Sequence, residues 1–470
     1  MKFLCALEAV NLENYFGDCE DLNTTRGGGL AVLEIASQVA ERLGATPITS
    51  GASQGLLRID GENPSQVEAL VRRELDKEKV LTHTTIMVSV CEEDPFSFHS
   101  QVAELKASMR WQQMRSPSVV YPQLHGGLVC DIDRVRPAIP RQDLDKKKNQ
   151  SDFSFERRTL GRREKKILLQ KLLEGAVPQE FDVVSNLAEL ADDKVGRFGN
   201  LKDKIAVLRF DGNDFGKVIA GCHDAAALKD FSETTREQQR SFFEHLLLST
   251  PGPEWWTTDD PPKLRLEVVV YGGDEVSFIT PAWLGWKALA AFFRHLEESS
   301  LKRDRPLTYS AGLVFCHAKA PIHAIKRLAS GLAEQAKQRA YDEFDKKDNF
   351  TVYQVLESFD AIGQDLEEFM KDRYAFSRPR GVFLGLNEID ALEKTMGLWR
   401  ATLSRRRLHS LVRELVSGAT PEPAQSIREL TESKTNSEQV QGTVQALHSA
   451  LGDAAFLHIL ELWDYAGVEK

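Results

Sequence analysis

The sequence predicts an α+β chain with two ferredoxin-like, palm-like βαββαβ domains in tandem and a helical C-terminal domain. Three observations predict it. Residues 1–93 alternate strand and helix patterns in the order β-α-β-β-α-β. The same order returns over 201–358, with a further helix and strand appended and no close sequence repetition. From 359 to 470 the apolar period is that of helices alone. At 470 residues the chain has room for about three domains.

The elements follow in order. KFLCALEAV reads as an apolar strand, and a helix is expected from about Gly29 (LAVLEIASQVAERL). TPITS and QGLLRI are short strands, SQVEALVRREL a helix and TTIMVSV the closing strand. Over 94–200 prolines, glycines and basic clusters interrupt any period. This reads as an irregular linker region, although SDFSFERRTLGRREKKILLQKLLEG contains an amphipathic helix. KIAVLRF then opens the second domain as a buried-type strand, with helical material through about SFFEHLLLS. A hairpin (LRLEVVVY-GG-DEVSFIT), the helix WLGWKALAAFFRHLEESS and the strand LTYSAGLVFC come next. The appended helix is PIHAIKRLASGLAEQAKQRAYDEF, and the appended strand is NFTVYQV.

Composition narrows the function classes. Hydrophobic residues at 42% and charged residues at 28% are ordinary globular values, and no apolar stretch approaches the ~18 residues of a membrane span. MKFLCALEAVNLENYFGD turns polar where a signal peptide would stay apolar. The six cysteines have no paired spacing, which argues against a zinc site or a disulfide scaffold. These readings describe a soluble, cytoplasmic protein with no membrane partner. A net charge of −10 argues against a surface that wraps nucleic acid. Basic clusters at 141–149, 157–166 and 404–409 are read as solvated faces or mobile linker, because no aromatic residues interleave in stacking register.

Two places in the second domain put acids at strand ends. In RFDGNDFGKVIAG, Asp211 ends the strand, and Gly212 and Gly216 leave the following backbone open. In the hairpin, Gly272-Gly273-Asp274-Glu275 forms the tip. Alone, that tetrapeptide reads as a GG turn with solvated acids. With Asp211-Gly212 on the strand that lies beside the hairpin in this topology, a metal site becomes the better reading. Phosphoryl and nucleotidyl transfer need carboxylates that hold divalent metal between attacking and leaving oxygens, and glycine lets a triphosphate reach backbone N–H groups. Lys337, far along the appended helix, has the length to reach polyphosphate; as an isolated feature it is an exposed helical lysine. His317 and Lys319 read equally as solvated loop residues.

FDGNDFGK, YGGDE, YSAGLVFCHAKAP and AEQAK, in this order, resemble the second palm domain of the large polymerase/cyclase subunit of type III CRISPR effector complexes. That family is related to GGDEF diguanylate cyclases and class III nucleotide cyclases. TTRGGGLAVLE after the first strand resembles the family's first palm, and the helical C-terminus its closing domain. The resemblance implies synthesis of cyclic oligoadenylate or a related cyclic nucleotide from ATP, with Mg2+ or Mn2+. It makes Asp211 and Asp274 the metal-binding carboxylates, with the Gly212 carbonyl beside them, and puts Glu275 in the second acidic place. It assigns nucleotide contact to Gly212, Asn213, Phe215, Gly216, Gly272, Gly273, Ser310 and Lys337. The partners implied are RNA or a guide-RNA complex as activator and a downstream effector with a cyclic-nucleotide sensor domain.

The chain departs from the family pattern in three ways. Asn213 stands where many members have a second Asp, Glu275 stands where the tip often ends in Asp, and no HD nuclease segment is expected before the first palm. Guanine selection as in GGDEF enzymes is not expected, since Gly216, Ile219 and Ala220 replace the residues used there, and Lys263 and Leu266 replace the inhibitory Arg and Asp. The first palm's hairpin, TSGASQG, carries no acid, so that palm either holds a second nucleotide or supports the active one. Arg26-Gly27-Gly28-Gly29 reads either as amides at a helix N-terminus that bind an anion or as a glycine-rich turn that allows close packing. The rival reading of the whole is a catalytically degenerate palm serving as a scaffold for RNA or protein.

Overall fold

The computed structural model describes the chain except residues 13, 14, 16–18, 20, 52, 95, 116–126, 144, 145, 251, 301–306, 344–347, 357–367, 370, 372–381, 403, 417–436, 453 and 467–470. Contacts divide the chain into two compact units. The first comprises Met1–Gly175, Asp214–Glu244 and Val268–Ser277; the second comprises Ala176–Asn213, His245–Glu267 and Phe278–Lys470.

In the first unit, β1 (Lys2–Val10), α1 (Leu22–Leu43), β2 (Thr46–Gly51), β3 (Gln54–Asp60), α2 (Pro64–Leu75) and β4 (Thr85–Glu92) follow the expected βαββαβ order. The sheet order is β2-β3-β1-β4, with β1 antiparallel to both β3 and β4. This is the ferredoxin-like arrangement, and it explains why β1 is apolar at nearly every position. Phe3, Cys5 and Leu7 face α1 and α2, whereas Leu4, Ala6 and Val10 join the cluster that includes Phe98, Leu105 and Met109. Side chains of a strand alternate between faces, so a strand covered on both sides cannot alternate apolar with polar.

The helix expected from about Gly29 begins at Leu22, with Asp21 as N-cap accepting from the Thr24 N–H. Arg26-Gly27-Gly28-Gly29 therefore lies within α1 and is neither a helix N-terminus nor a turn, so its amides are not an anion site there. The glycines serve packing instead. α1 crosses α4 (Asp152–Leu172), and a Cβ on Gly27 would stand 1.8 Å from the Arg157 carbonyl oxygen, one on Gly161 1.9 Å from that of Asn23. Two backbones approach this closely only where neither helix carries a side chain.

The stretch expected as irregular linker is built largely of regular elements. α3 (Phe98–Arg115) covers the outer face of the first sheet, and β5 (Ile139–Asp143) pairs with β6 (Lys146–Gln150) before α4. All of these belong to the first unit. The 157–166 basic cluster is solvated only in part, with Arg163 exposed. Arg157, Arg158 and Lys165 are buried, and the Arg157 guanidinium lies 4.6 Å from the Tyr15 ring and 4.8 Å from that of Phe153. Its Nε also donates to the Thr24 carbonyl at 3.2 Å. The 141–149 cluster forms the β5–β6 hairpin, with Leu144 and Asp145 outside the described residues.

In the second unit, β7 (Asp182–Val183) precedes β8 (Lys204–Gly212), and Asp214–Glu244 of the first unit contributes α5 (Phe215–Ala220) and most of α6 (Ala225–Ser249). Then come β9 (Lys263–Leu264), β10 (Glu267–Gly272), β11 (Glu275–Pro281), α7 (Ala282–Ser300), β12 (Tyr309–His317), α8 (Ile322–Glu343) and β13 (Phe350–Val355), with Val268–Ser277 of the β10–β11 hairpin belonging to the first unit. The five-stranded order is β10-β11-β8-β12-β13. The appended β13 runs parallel to β12, as a strand reached through a crossover helix must. α8 sits so close to β12 that a Cβ on Gly312 would stand 1.9 Å from the Ala329 carbonyl oxygen.

The helical C-terminal part contains α9 (Leu386–Thr402), α10 (Arg405–Val416), α11 (Ser437–Leu451) and α12 (Ala454–Glu461). The third basic cluster opens α10 with Arg405, Arg406, Arg407 and His409 exposed. Of the helical domain expected at 359–470, residues 359–367, 372–381 and 417–436 lie outside the described residues. Among the described residues no helix is long and apolar enough to cross a membrane.

Candidate nucleotide and metal site

The expected site residues fall into two groups, one in each unit. In the second unit, β8 and β12 pair antiparallel with Asp211 opposite Ser310 and Gly212 opposite Tyr309. Asp211 is half-buried, and the Lys337 ammonium of α8 lies 3.0 Å from its Oδ1. A lysine four helical turns into α8 meets the acid because α8 runs back along β12 and β8.

Asn213 is buried in a polar network. Its Oδ1 accepts from the Ser310 hydroxyl at 2.8 Å, and its Nδ2 donates to the Thr308 hydroxyl at 3.1 Å. Its backbone N–H donates to the Thr308 carbonyl at 2.8 Å. Asn213 and Ser310 are 5% and 0% exposed, so both side chains brace the strand end from below. An amide both accepts and donates, which suits a position between two hydroxyl-bearing residues.

The first unit holds the other group. Gly272 and Gly273 turn the β10–β11 hairpin with φ of 122° and 64°, values that residues with a side chain rarely adopt. Asp274 and Glu275, both half-buried, follow the turn. Beside them is a cavity of about 400 Å3 whose walls all belong to this unit. Phe215, Gly216, Gly272, Gly273 and Asp274 all line it. Gly216 leaves open space, since a Cβ built there meets nothing within 4 Å. The opposite wall comes from the first sheet and α3, including Ser50, Gly51, Lys106 and Arg110. The cavity thus mixes cationic side chains, an apolar lining and glycine backbone, which together suit a base with a phosphate tail.

The motifs did not mark every residue at this site. Gln239 of α6 is buried, and its Nε2 donates to the Gly273 carbonyl at 2.9 Å. Arg236, one turn earlier, donates from Nη2 to the Ser50 hydroxyl at 3.0 Å and also to the Ser50 carbonyl. Phe243 packs edge-on against Tyr271, with centroids 6.0 Å apart. Burial pushes the Tyr271 phenol up to about 12, against the lowering charges of Arg236 and Arg240. The only sequence signal for this face is the i, i+3, i+7 spacing of Arg236, Gln239 and Phe243, which any amphipathic helix shares.

The donor atoms on offer are hard oxygens: the Asp211 carboxylate and the Gly212 carbonyl in the second unit, and the Asp274 carboxylate in the first. Oxygens of this kind suit Mg2+ or Mn2+, which take few protein carboxylates and fill their remaining places with water and phosphate. Among the described residues no group of three or more His, Cys, Asp or Glu side chains gathers as an all-protein metal cage.

Fold and site define a class, that of tandem palm proteins with an acid-tipped glycine hairpin in the second palm. The comparisons narrow it. The family model "Cas10/Cmr2, second palm domain" matches residues 204–351. The chain resembles the Cas10 palm-domain subunit of type III CRISPR complexes. A Csm1-Csm4 cassette in complex with cA4 aligns with a TM-score of 0.53 and 12% identity, covering 98% of this chain and 70% of that one. The same cassette in complex with one ATP gives 0.52 and 12%, covering 97% and 70%. The Csm1-Csm4 subcomplex of the type III-A CRISPR-Csm interference complex gives 0.53 and 13%, covering 98% and 70%. At these identities the likeness is one of fold. No curated protein matches the chain.

Proposed function

We propose that this chain is a nucleotidyltransferase that converts ATP into cyclic oligoadenylate or a related cyclic oligonucleotide, in a role like that of the type III CRISPR polymerase/cyclase subunit. The observation that carries the reading is the Lys337–Asp211 pair at the end of β8, inside the stretch that matches the second palm. A carboxylate at a strand end, with a lysine held against it, is suited to metal and polyphosphate. The related Csm1-Csm4 cassettes in complex with one ATP and in complex with cA4 support the same substrate and product class.

In this reading Asp211, the Gly212 carbonyl and Asp274 would hold the divalent ion, and Glu275 would take the second acidic place. The ion supplies Lewis-acid stabilisation of the attacking and leaving oxygens. The chain's own residues bind and orient. Gly272 and Gly273 admit the triphosphate to backbone N–H groups, and Phe215 and Gly216 shape the cavity wall. Lys337 orients Asp211 and lies within reach of phosphate. Asn213 and Ser310 brace the strand end, so that a 3′-hydroxyl would attack the α-phosphate from a fixed direction, losing its proton and forming the new P–O bond as the α–β phosphoanhydride breaks and pyrophosphate leaves. RNA or a guide-RNA complex as activator, and an effector with a cyclic-nucleotide sensor domain, belong to the same proposal.

One observation favours the scaffold reading: Asn213 is neutral and its side chain is engaged in the buried network, which leaves one carboxylate fewer than in many relatives. Incubation with labelled ATP and Mn2+, with and without RNA, separates the two readings. Wild type is expected to yield cyclic product, while Asp211→Asn and Asp274→Ala fall by about 100-fold or more without loss of fold. No product from wild type under any RNA trigger would favour the scaffold.

A further inference from the structure

The Gly272–Gly273 turn raises a physical problem. Both residues adopt positive φ, and glycine leaves the backbone free to leave that state. Yet Asp274 follows directly, and a metal-binding carboxylate must be held within a fraction of an ångström. The turn therefore needs an external restraint, and α6 supplies one. Gln239 is 1% exposed and donates its amide to the Gly273 carbonyl at 2.9 Å. Phe243, one turn further on, fixes Tyr271 at the start of the same turn. On the other side of Gln239, Arg236 bonds Ser50, next to the acid-free hairpin tip. The two tips meet there, since a Cβ on Gly51 would stand 3.9 Å from both the Arg236 Nη2 and the Gly273 N. One face of α6 thus holds both hairpins.

We propose that Gln239 is a positioning residue: by holding the Gly273 carbonyl it sets the turn, and with it the Asp274 carboxylate, against the first sheet's hairpin tip, with Arg236 holding that tip. The choice of an amide is informative. A glutamate would fill the same space and, ionised, would donate nothing. The catalytic consequence rests on the nucleotidyltransferase reading; the mechanical one does not.

The test uses Gln239→Met and Gln239→Glu in the full chain. Each is first shown to be folded by thermal melting; either suffices if the other does not fold. Hydrogen exchange of peptides covering 268–277 is then compared with wild type. Loss of the restraint is expected to speed exchange there by about tenfold and to leave β8 unchanged. Arg236→Met is expected to do the same for peptides covering 46–56. With ATP and Mn2+, the turnover rate of the Gln239 variants is expected to fall by about 10–100-fold, while half-saturation by ATP stays within about threefold. Unchanged exchange at 268–277 in a folded variant overturns the proposal, and so does an unchanged turnover rate. If wild type itself makes no product, the nucleotidyltransferase reading fails and the exchange result alone decides the role of Gln239.

Discussion

Asp211 and Asn213 are two residues apart at the end of one strand, yet they do different work. Asp211 is half-buried against the Lys337 ammonium, while Asn213 binds Ser310 and Thr308 beneath it. Chain position explains the difference: Asp211 is the penultimate residue of β8, whereas Asn213 lies just beyond the strand end, where its backbone N–H donates to the Thr308 carbonyl. Asp133 shows a carboxylate engaged wholly in structure. Burial by itself would raise its pKa, but the Ser154 hydroxyl, the Arg136 and Val135 N–H groups and the Arg136 charge outweigh burial and hold it at about 2. A carboxyl depressed in the folded state stabilises the fold above its unfolded value near 3.8, and that contribution is lost as pH falls from there toward 2. Asp133→Asn is therefore expected to cost about 2 kcal/mol near neutral pH and almost nothing at pH ~2. Denaturant titrations of both proteins across that range check it.

At the scale of elements, the crossing of α1 and α4 is tightly constrained. An alanine in place of Gly27 would gain about 1 kcal/mol of helix propensity. Its Cβ, however, would stand 1.8 Å from the Arg157 carbonyl oxygen, an overlap that only a backbone shift relieves. Overlap of this kind typically costs about 1–3 kcal/mol and here wins. Gly27→Ala is expected to lower the melting temperature by several degrees despite the better helix former. Gly44→Ala tests another cause at the same helix: nothing lies within 4 Å of its Cβ, so only its left-handed φ of 63° opposes the change. Its cost should stay near 1 kcal/mol.

For the molecule as a whole, a net charge of −10 leaves the cationic groups at the cavity, Lys106, Arg110 and Arg236, locally against the average. Binding of ATP with Mn2+ is expected to raise the melting temperature of wild type, since a ligand at ~100 times its Kd adds about 2.7 kcal/mol to stability. The rise should be smaller for Asp274→Ala. An equal rise in both would remove Asp274 from the binding site.

The sequence by itself determined the repeated βαββαβ order, the strand that carries Asp211 and the hairpin that carries Gly272–Glu275, because period and turn chemistry are local and each element announces its own. It also put Lys337 on a helix after those motifs. It did not determine where α1 begins. The period is blurred by three consecutive glycines, and what makes them helical is Gly161, more than a hundred residues further on. The 157–166 cluster misled for the same reason: charge reads as solvent exposure unless the Tyr15 and Phe153 rings that cover Arg157 are known. Gln239 and Arg236 were hidden as ordinary helical polar residues. Only the tertiary structure decided their contacts, because a hydrogen bond to a backbone carbonyl leaves no residue type at the other end for a motif to contain.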